Sequence, residues 1–146
     1  MNIRSCRPGD EPELLRMRAA LWPEVAVDEH RVELQAWLCR SDGVLLVAPR
    51  SDGIRLAGFA EVGLRSVADS AETSPVCYLE GWYVDEDMRR RGIGATLVRA
   101  AEAWGRERGL REFASDAELE NLAAQRAHEA VGFREVERSV LYLKKL

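Results

Sequence analysis

A turn rich in arginine and glycine separates a strand-like segment from an amphipathic helix, and it is the feature that most constrains this chain. The apolar run VCYLEGWYV ends at Val84, three acids and three arginines follow, and Gly92 and Gly94 open a helical pattern. The first turn of a helix has unpaired N–H groups and the positive end of the helix dipole. Glycines let an anion approach this backbone, and arginines add charge. The turn therefore predicts either a pyrophosphate site or, about as readily, a solvated turn without a ligand.

Two common phosphate-binding motifs do not match this turn. A dinucleotide-binding fold carries the longer G-x-G-x-x-G pattern after its first strand. Here position 97 is Leu97, and several strands precede the turn. A P-loop would continue with Gly-Lys-Ser/Thr, which does not follow either.

Composition limits the class of protein further. The chain has 146 residues, which predicts one domain spanning 1–146, and 47% of them are hydrophobic. A net charge of −4 argues against a nucleic-acid partner and suits a cationic one. No run is apolar enough to span a membrane, and three cysteines without metal-ligand spacing indicate free thiols in a reducing compartment. We therefore expect a cytoplasmic protein without a metal site.

The order of predicted elements indicates an α/β fold. Two helices precede a hairpin with Gly53 in its turn, and the order strand, helix, strand, helix, strand follows. The last segment, EVERSVLYLKKL, is predicted as one or two strands. This order predicts a mixed sheet flanked by helices.

Five motifs in order resemble one known superfamily. The segment RRRGIG after WYVDEDM resembles the coenzyme A signature Arg/Gln-x-x-Gly-x-Gly/Ala of the GNAT N-acetyltransferases, and ASD, Asn121 and Gly132-Phe133 follow in the expected order. Within the superfamily the resemblance is strongest to aminoglycoside 6′-N-acetyltransferases. LWP, SPVCYLEGWYV, WGRERGLREFASD, AHEAVGF and ERSVLY carry it. It implies the GNAT fold, a central mixed and mostly antiparallel sheet with splayed middle strands flanked by helices. It also implies acetyl transfer from acetyl-coenzyme A to the 6′-amine of a polycationic aminoglycoside.

The resemblance also assigns a coenzyme site. The pantetheine arm is expected beside Trp82, Tyr83 and Val84, and Asn121 is expected to face the coenzyme. The pyrophosphate is expected at the turn formed by Arg89, Arg90, Arg91, Gly92, Ile93, Gly94 and Ala95. An N-cap of the following helix is an equally simple role for Asn121.

Two acids are the main candidates for handling the amine. Glu80 lies in an otherwise apolar run, where a lone carboxylate is costly unless it is paired or functional. Strand alternation places it on one face with Tyr78 and Trp82. We interpret it as an active-site acid that binds the amine and accepts its proton; an ion pair with an arginine is the alternative. By resemblance Asp116 contacts substrate ammonium groups, although a turn or cap aspartate is also common.

The remaining candidates follow from the resemblance. Glu137 matches a further substrate-binding acid, and Trp22 matches a wall of the aminoglycoside site, or else packs in the core. His128 stands where many members have a tyrosine that protonates the leaving thiolate, and we expect it to be packed and hydrogen-bonded. Tyr142 is then the alternative proton donor.

One departure and two rival functions stay open. The loop RSVADSAETSP is one residue shorter than in the resistance enzymes and lacks their aromatic residue. An N-acetyltransferase of another small amine or a polyamine is the first rival, and a non-catalytic coenzyme A-binding regulatory module is the second.

Because the family often dimerises and the C-terminal strand candidate is apolar, we expect a homodimer.

Overall fold

Alternating apolar strands give this chain a five-stranded sheet with helices on both faces. The computed structural model describes residues 2–146. The strands are β1 (Arg4–Ser5), β2 (Val44–Pro49), β3 (Leu56–Arg65), β4 (Val76–Val84) and β5 (Phe113–Ser115), and the helices are α1 (Glu11–Leu21), α2 (Val27–Cys39), α3 (Ile93–Glu107) and α4 (Leu122–Ala130). Strand order is β1-β2-β3-β4-β5, antiparallel except for the parallel pair β4–β5. The predicted mixed, mostly antiparallel sheet is confirmed.

The two faces of the sheet bury separate apolar clusters. In β2, Leu45 and Val47 pack against α1 and α2, whereas Leu46 and Ala48 pack against α3. This division is the direct result of the two-residue period of a strand. The α1/α2 face also buries Phe59. Each face therefore has its own packed layer, and the sheet separates them.

A β-bulge interrupts the pairing of β3 with β4. Glu61 pairs with Gly81 and Val62 pairs with Leu79, so the ladder skips Glu80. The predicted alternation of β4 was wrong at this point, because Trp82 packs in the same cluster as Leu79. An extra residue in one strand reverses the alternation beyond it. The bulge thereby turns Glu80 away from the regular ladder.

The parallel strands β4 and β5 pair over only three residues. The ladder ends at Leu79 and Ser115, while β4 continues to Val84. Among the strands described within residues 2–146, residues 81–84 thus pair with β3 alone. This separation matches the splayed middle strands expected from the resemblance.

The C-terminal segment was predicted as one or two strands, and this prediction was wrong for the single chain. Residues 134–146 belong to no helix or strand, and Leu141 is 91% exposed. A strand needs a neighbour for its N–H and C=O groups. Short β5 is the last strand of the sheet, and the C-terminal segment does not pair with it.

No helix within residues 2–146 is both long enough and apolar enough to cross a membrane.

Candidate active site

The arginine–glycine turn forms a helix N-terminus with free backbone donors. Gly92 is the N-cap of α3 and has a φ of +77°, a conformation that favours glycine. The first backbone hydrogen bond of the helix runs from Thr96 N to Gly92 O at 3.0 Å, so the N–H groups of 93–95 precede it. No side chain of residues 2–146 caps this end. These donors, next to three exposed arginines at 89–91, form a site suited to a pyrophosphate.

A buried carboxylate fixes the start of this turn. Asp85 accepts hydrogen bonds from Arg16 at 2.9 Å and from Arg50 at 2.8 Å. Burial raises the pKa of Asp85, but these two arginines outweigh it and hold the pKa below its ordinary value. The backbone N–H of Asp85 also donates to Ala57 O at 2.8 Å. The turn is therefore anchored to α1 and to the β2–β3 connection.

The strand that leads into the turn lies close to the helix. A Cβ atom at Gly94 would lie 3.1 Å from Cζ2 of Trp82. The Trp82 ring in turn meets His128 edge to face, with centroids 5.3 Å apart. Arg89 donates from Nε to Val84 O at 2.9 Å. The predicted residues of β4 and α3 thus meet at one place in the fold.

The two predicted acids converge on one arginine. Arg65 donates from Nε and Nη2 to the two carboxylate oxygens of Glu80, at 2.8 and 2.7 Å. Its Nη2 lies 4.0 Å from Oδ2 of Asp116, which accepts a hydrogen bond from the Tyr78 hydroxyl at 2.5 Å. Burial, and then the bond to Asp116, raise the pKa of Tyr78, so it remains a phenol donor. The ion pair between Glu80 and an arginine, the alternative left open by the sequence, is present.

A cleft of about 450 Å³ opens beside Glu80. Its walls include Trp22, Glu80 and the pair formed by Arg18 and Glu61, both nearly fully buried. Arg18 also bonds to Glu33, and its guanidinium lies 4.9 Å from the centre of the Trp22 ring. Burial lowers the pKa of Arg18 despite these acidic partners. Acidic and aromatic groups therefore line one cleft, which lies on the α1/α2 face of the sheet next to the bulge.

Three other predicted residues lie elsewhere in the chain. Asn121 is the N-cap of α4, and its Oδ1 accepts a hydrogen bond from Ala124 N at 3.1 Å. Glu137 and Tyr142 lie exposed in the C-terminal segment, and neither forms a hydrogen bond with a residue in 2–146. The single chain does not bring these last two to the cleft.

His128 uses both of its ring nitrogens in packing contacts. Nδ1 donates to Ala124 O at 2.7 Å, and Nε2 lies 2.9 Å from the Ser115 hydroxyl. The ring also packs against Phe133. These contacts are those of a packed, hydrogen-bonded histidine.

Reasoning from the sequence missed four residues, two that line the cleft and two that contact Glu80 or Asp116. Arg65, Tyr78, Arg18 and Glu61 were not proposed as site residues. Glu61 had the same signal as Glu80, an acid inside an apolar strand. Arg18 lies at helical spacing between Leu14 and Leu21, on the apolar side of α1. Nothing in the local pattern marks Arg65 or Tyr78, because their partners are distant in the chain.

No group of three or more His, Cys, Asp or Glu side chains within residues 2–146 is arranged to hold a metal ion.

Comparison with known proteins gives consistent matches over nearly the whole chain. The profile of the acetyltransferase (GNAT) family matches residues 12–133. Aminoglycoside N(6′)-acetyltransferase type 1 of Klebsiella aerogenes is 41% identical, over 99% of this chain and 96% of the relative. The enzyme of the same name from Stenotrophomonas maltophilia is 40% identical, over 96% and 90%.

Solved structures of similar proteins agree. The aminoglycoside 6′-N-acetyltransferase AAC(6′)-IG from Acinetobacter haemolyticus superposes with a TM-score of 0.94 at 33% identity, covering 100% of this chain and 99% of that chain. AAC(6′)-Iy in complex with the bisubstrate analogue CoA-S-monomethyl-acetylneamine has a TM-score of 0.92 at 32% identity, with coverage of 99% and 98%.

Proposed function

This chain belongs to the acetyltransferase (GNAT) family, and on that premise we propose that it acetylates the 6′-amine of aminoglycoside antibiotics. It is an N-acetyltransferase whose co-substrate is acetyl-coenzyme A. Similarity to aminoglycoside N(6′)-acetyltransferases over almost the full length of both chains supports this acceptor. Modification of an aminoglycoside antibiotic makes resistance the biological role.

One structural observation carries the proposal. The acid cluster includes Glu80 of β4, and the free helix N-terminus lies against Trp82 of the same strand, where a Cβ atom at Gly94 would lie 3.1 Å from Cζ2. Two residue steps of a strand span about 7 Å. A polycation at Glu80 and a pyrophosphate at Gly92 can therefore be bound by one continuous surface. Such a surface is what direct transfer within a ternary complex requires.

The residues at the turn before α3 and along the end of β4 suit the binding of coenzyme A. The backbone donors at 91–95 and the side chains of Arg89, Arg90 and Arg91 bind the pyrophosphate. Trp82, Tyr83 and Val84 line the pantetheine arm, whose amides pair with the strand edge that β5 leaves free. The bound thioester supplies the acetyl group. Asn121 faces the coenzyme with its amide nitrogen while its Oδ1 caps α4.

The acids bind and orient the reacting amine. Glu80 at the cleft and Asp116, which lies 4.0 Å from Arg65, provide two carboxylates, and a carboxylate accepts more hydrogen bonds than Arg65 and Tyr78 supply. Transfer needs a neutral nitrogen, so an acid of this pair takes the ammonium proton directly or through water. Trp22 forms the apolar wall for a sugar ring of the acceptor.

The C-terminal segment supports a homodimer. Residues 134–146 expose Val140, Leu141, Tyr142 and Leu143 to solvent in the single chain. An apolar arm of this kind is covered when it packs on a second copy. Since Glu137 and Tyr142 do not reach the cleft of their own chain, we infer that they act in the dimer, Glu137 on the substrate and Tyr142 as proton donor.

The dimer is tested by an arm variant. Leu141→Asp changes a side chain that is 91% exposed, so the protomer stays folded while the interface gains a charge. We expect sedimentation to show a dimer for the full chain and a monomer for this variant. Ile54→Asp, at an apolar loop residue that is 82% exposed, is the matched control and stays dimeric. A monomeric full chain at micromolar concentration contradicts the assembly.

We place the enzyme in the cytoplasm, because acetyl-coenzyme A is a metabolite of the cell interior. Residues 1–146 act as one catalytic domain, with the matched family segment at 12–133 as its greater part.

The acceptor is tested with two antibiotics that differ at the 6′ position. Purified protein is mixed with acetyl-coenzyme A and kanamycin A, which has a 6′-amine, or paromomycin, which has a 6′-hydroxyl. We expect release of free thiol with kanamycin A alone. Release with both moves the acetylated position elsewhere. Release with neither, despite coenzyme binding, overturns the acceptor and directs attention to other small amines or polyamines.

A further inference from the structure

Arg65 is a side chain that lies against both Glu80 and Asp116. It is the last residue of β3, where it pairs with Val76 of β4. Its side chain crosses Tyr78, with Cζ 3.5 Å from the ring centre, and reaches Glu80. Its two hydrogen bonds to Glu80 form the bidentate arrangement that gives an arginine–carboxylate pair its fixed geometry.

The bulge explains why Glu80 needs such a partner. A residue outside the regular ladder does not have its side-chain direction set by strand pairing. The ladder skips Glu80, and the carboxylate is 27% exposed. A mobile carboxylate would lose conformational entropy on binding an ammonium group. The Arg65 fork removes that freedom before the acceptor arrives.

Tyr78 links the second acid to the same unit. Its ring supports the Arg65 guanidinium, and its hydroxyl donates to Asp116. Asp116 is otherwise 73% exposed and follows the end of β5. One arginine and one tyrosine therefore hold two carboxylates, one in β4 and one directly after β5.

The charge of this unit fits one further cation. Glu80 and Asp116 carry two negative charges and Arg65 one positive charge, so the cluster as a whole carries one negative charge. The hydrogen bond to Glu80 raises the pKa of Arg65, which remains charged. Two of the four acceptor positions on Glu80 are free when Arg65 occupies the others.

We propose that Arg65 is a positioning residue, which together with Tyr78 holds Glu80 and Asp116 in the geometry that binds the acceptor ammonium. This role rests on the proposed function, in which the two acids bind the reacting amine. Arg65 acts through Glu80 and does not itself touch the acetyl group. The unit is preformed, so the acceptor binds without first ordering the acids.

Steady-state kinetics of three variants test this role. Arg65→Met removes the fork and the charge, Arg65→Lys keeps only the charge, and Tyr78→Phe removes the hydroxyl. We expect Arg65→Met to raise the aminoglycoside KM about tenfold, the loss that corresponds to one weakened charge-assisted hydrogen bond. The acetyl-coenzyme A KM stays unchanged. Arg65→Lys gives an intermediate KM, since an ammonium cannot form the bidentate pair.

Arg108→Met is the matched control. Arg108 also lies over an aromatic ring, that of Trp104 at 4.1 Å, but it donates to Trp104 O and, within residues 2–146, pairs with neither Glu80 nor Asp116. We expect this variant to keep both KM values. Its melting temperature gives the general effect of removing a stacked arginine.

Three other kinetic results would contradict either the positioning role of Arg65 or the proposed function. An aminoglycoside KM that is unchanged or lower in Arg65→Met, in an active protein, overturns the positioning role; a lower value makes Arg65 a competitor of the substrate. A parallel rise of both KM values with a large loss of melting temperature makes Arg65 structural only. A wild type that binds coenzyme but does not acetylate kanamycin A overturns the proposed function instead.

Discussion

Gly81 lies opposite Glu61 in the β3–β4 ladder and directly against Trp22, so that a Cβ atom at Gly81 would lie 2.7 Å from Cη2 of Trp22 and 3.1 Å from Oε2 of Glu61. A glycine at this position lets the tryptophan pack on the backbone of β4. The wall of the cleft therefore depends on the absence of one methyl group.

Gly81→Ala is predicted to move Trp22 and weaken acceptor binding. Overpacking of this kind costs about 1–3 kcal/mol, and the indole is the group that can yield. We expect a higher aminoglycoside KM, an unchanged acetyl-coenzyme A KM and a lower melting temperature. Gly9→Ala, where a Cβ meets nothing within 4 Å, is the control. Unchanged kinetics in Gly81→Ala would show that Trp22 is not part of the acceptor site.

Gly92→Ala is predicted to weaken coenzyme binding. Its φ of +77° is unfavourable for alanine by about 1–2 kcal/mol, and relief of this strain would shift the N–H groups at the start of α3. We expect the acetyl-coenzyme A KM to rise while the aminoglycoside KM changes little. Gly53→Ala is matched in strain, with a φ of +73° and open space around the Cβ, but lies in the β2–β3 connection. It should lose similar stability and keep its kinetics; equal KM values in the two variants refute a coenzyme site at this turn.

Asp85→Asn is predicted to lower stability at pH 7 by about 2 kcal/mol, because a charged hydrogen-bond acceptor between Arg16 and Arg50 is lost. The pKa of Asp85 is lowered by folding from its ordinary 3.8. Its contribution is therefore complete above about pH 4 and is lost as the pH falls through the lower, folded pKa. Chemical unfolding at pH 7 and pH 3 should show a gap between wild type and variant that narrows in acid. A gap of constant size contradicts this assignment.

Arg18→Met is predicted to lower stability by about 3–5 kcal/mol, because it leaves Glu61 as a buried charge without its partner. The double change Arg18→Met with Glu61→Gln should recover part of the loss. Denaturant titration of Arg18→Met, Glu61→Gln and the double variant measures the coupling. Arg106→Met, which breaks an exposed pair with Glu102, is the control and should lose well under about 1 kcal/mol. Additive losses at Arg18 and Glu61 would exclude coupling between them.

Structural features that depend on residues close together in the chain were predictable from the sequence. The glycines of the turn before α3, the amphipathic pattern of that helix and the alternation of β2 depend on neighbours within a few positions, and all appear in the structure. The alternation of β4 failed at Glu80, because a bulge depends on how β4 pairs with β3, whose contacting residues lie about twenty positions away. The strand prediction for the C-terminal segment was wrong for a related reason. Its pattern favours a strand, but the pattern cannot supply the neighbouring strand that a strand requires.

The sequence by itself determined the α/β order of elements, the anion-suited turn at Gly92 and the presence of an acid in the apolar strand at Glu80. Spacing along the chain is enough for these, because dipoles, free N–H groups and strand periods are local properties. Only the tertiary structure decided that Glu80 and Asp116 share Arg65, and that Arg18 reaches Glu61. The residues of these pairs lie 15, 43 or 51 positions apart, as their numbers show. Contacts of this range arise when sheet pairing and helix packing bring distant side chains together, and no local pattern encodes them.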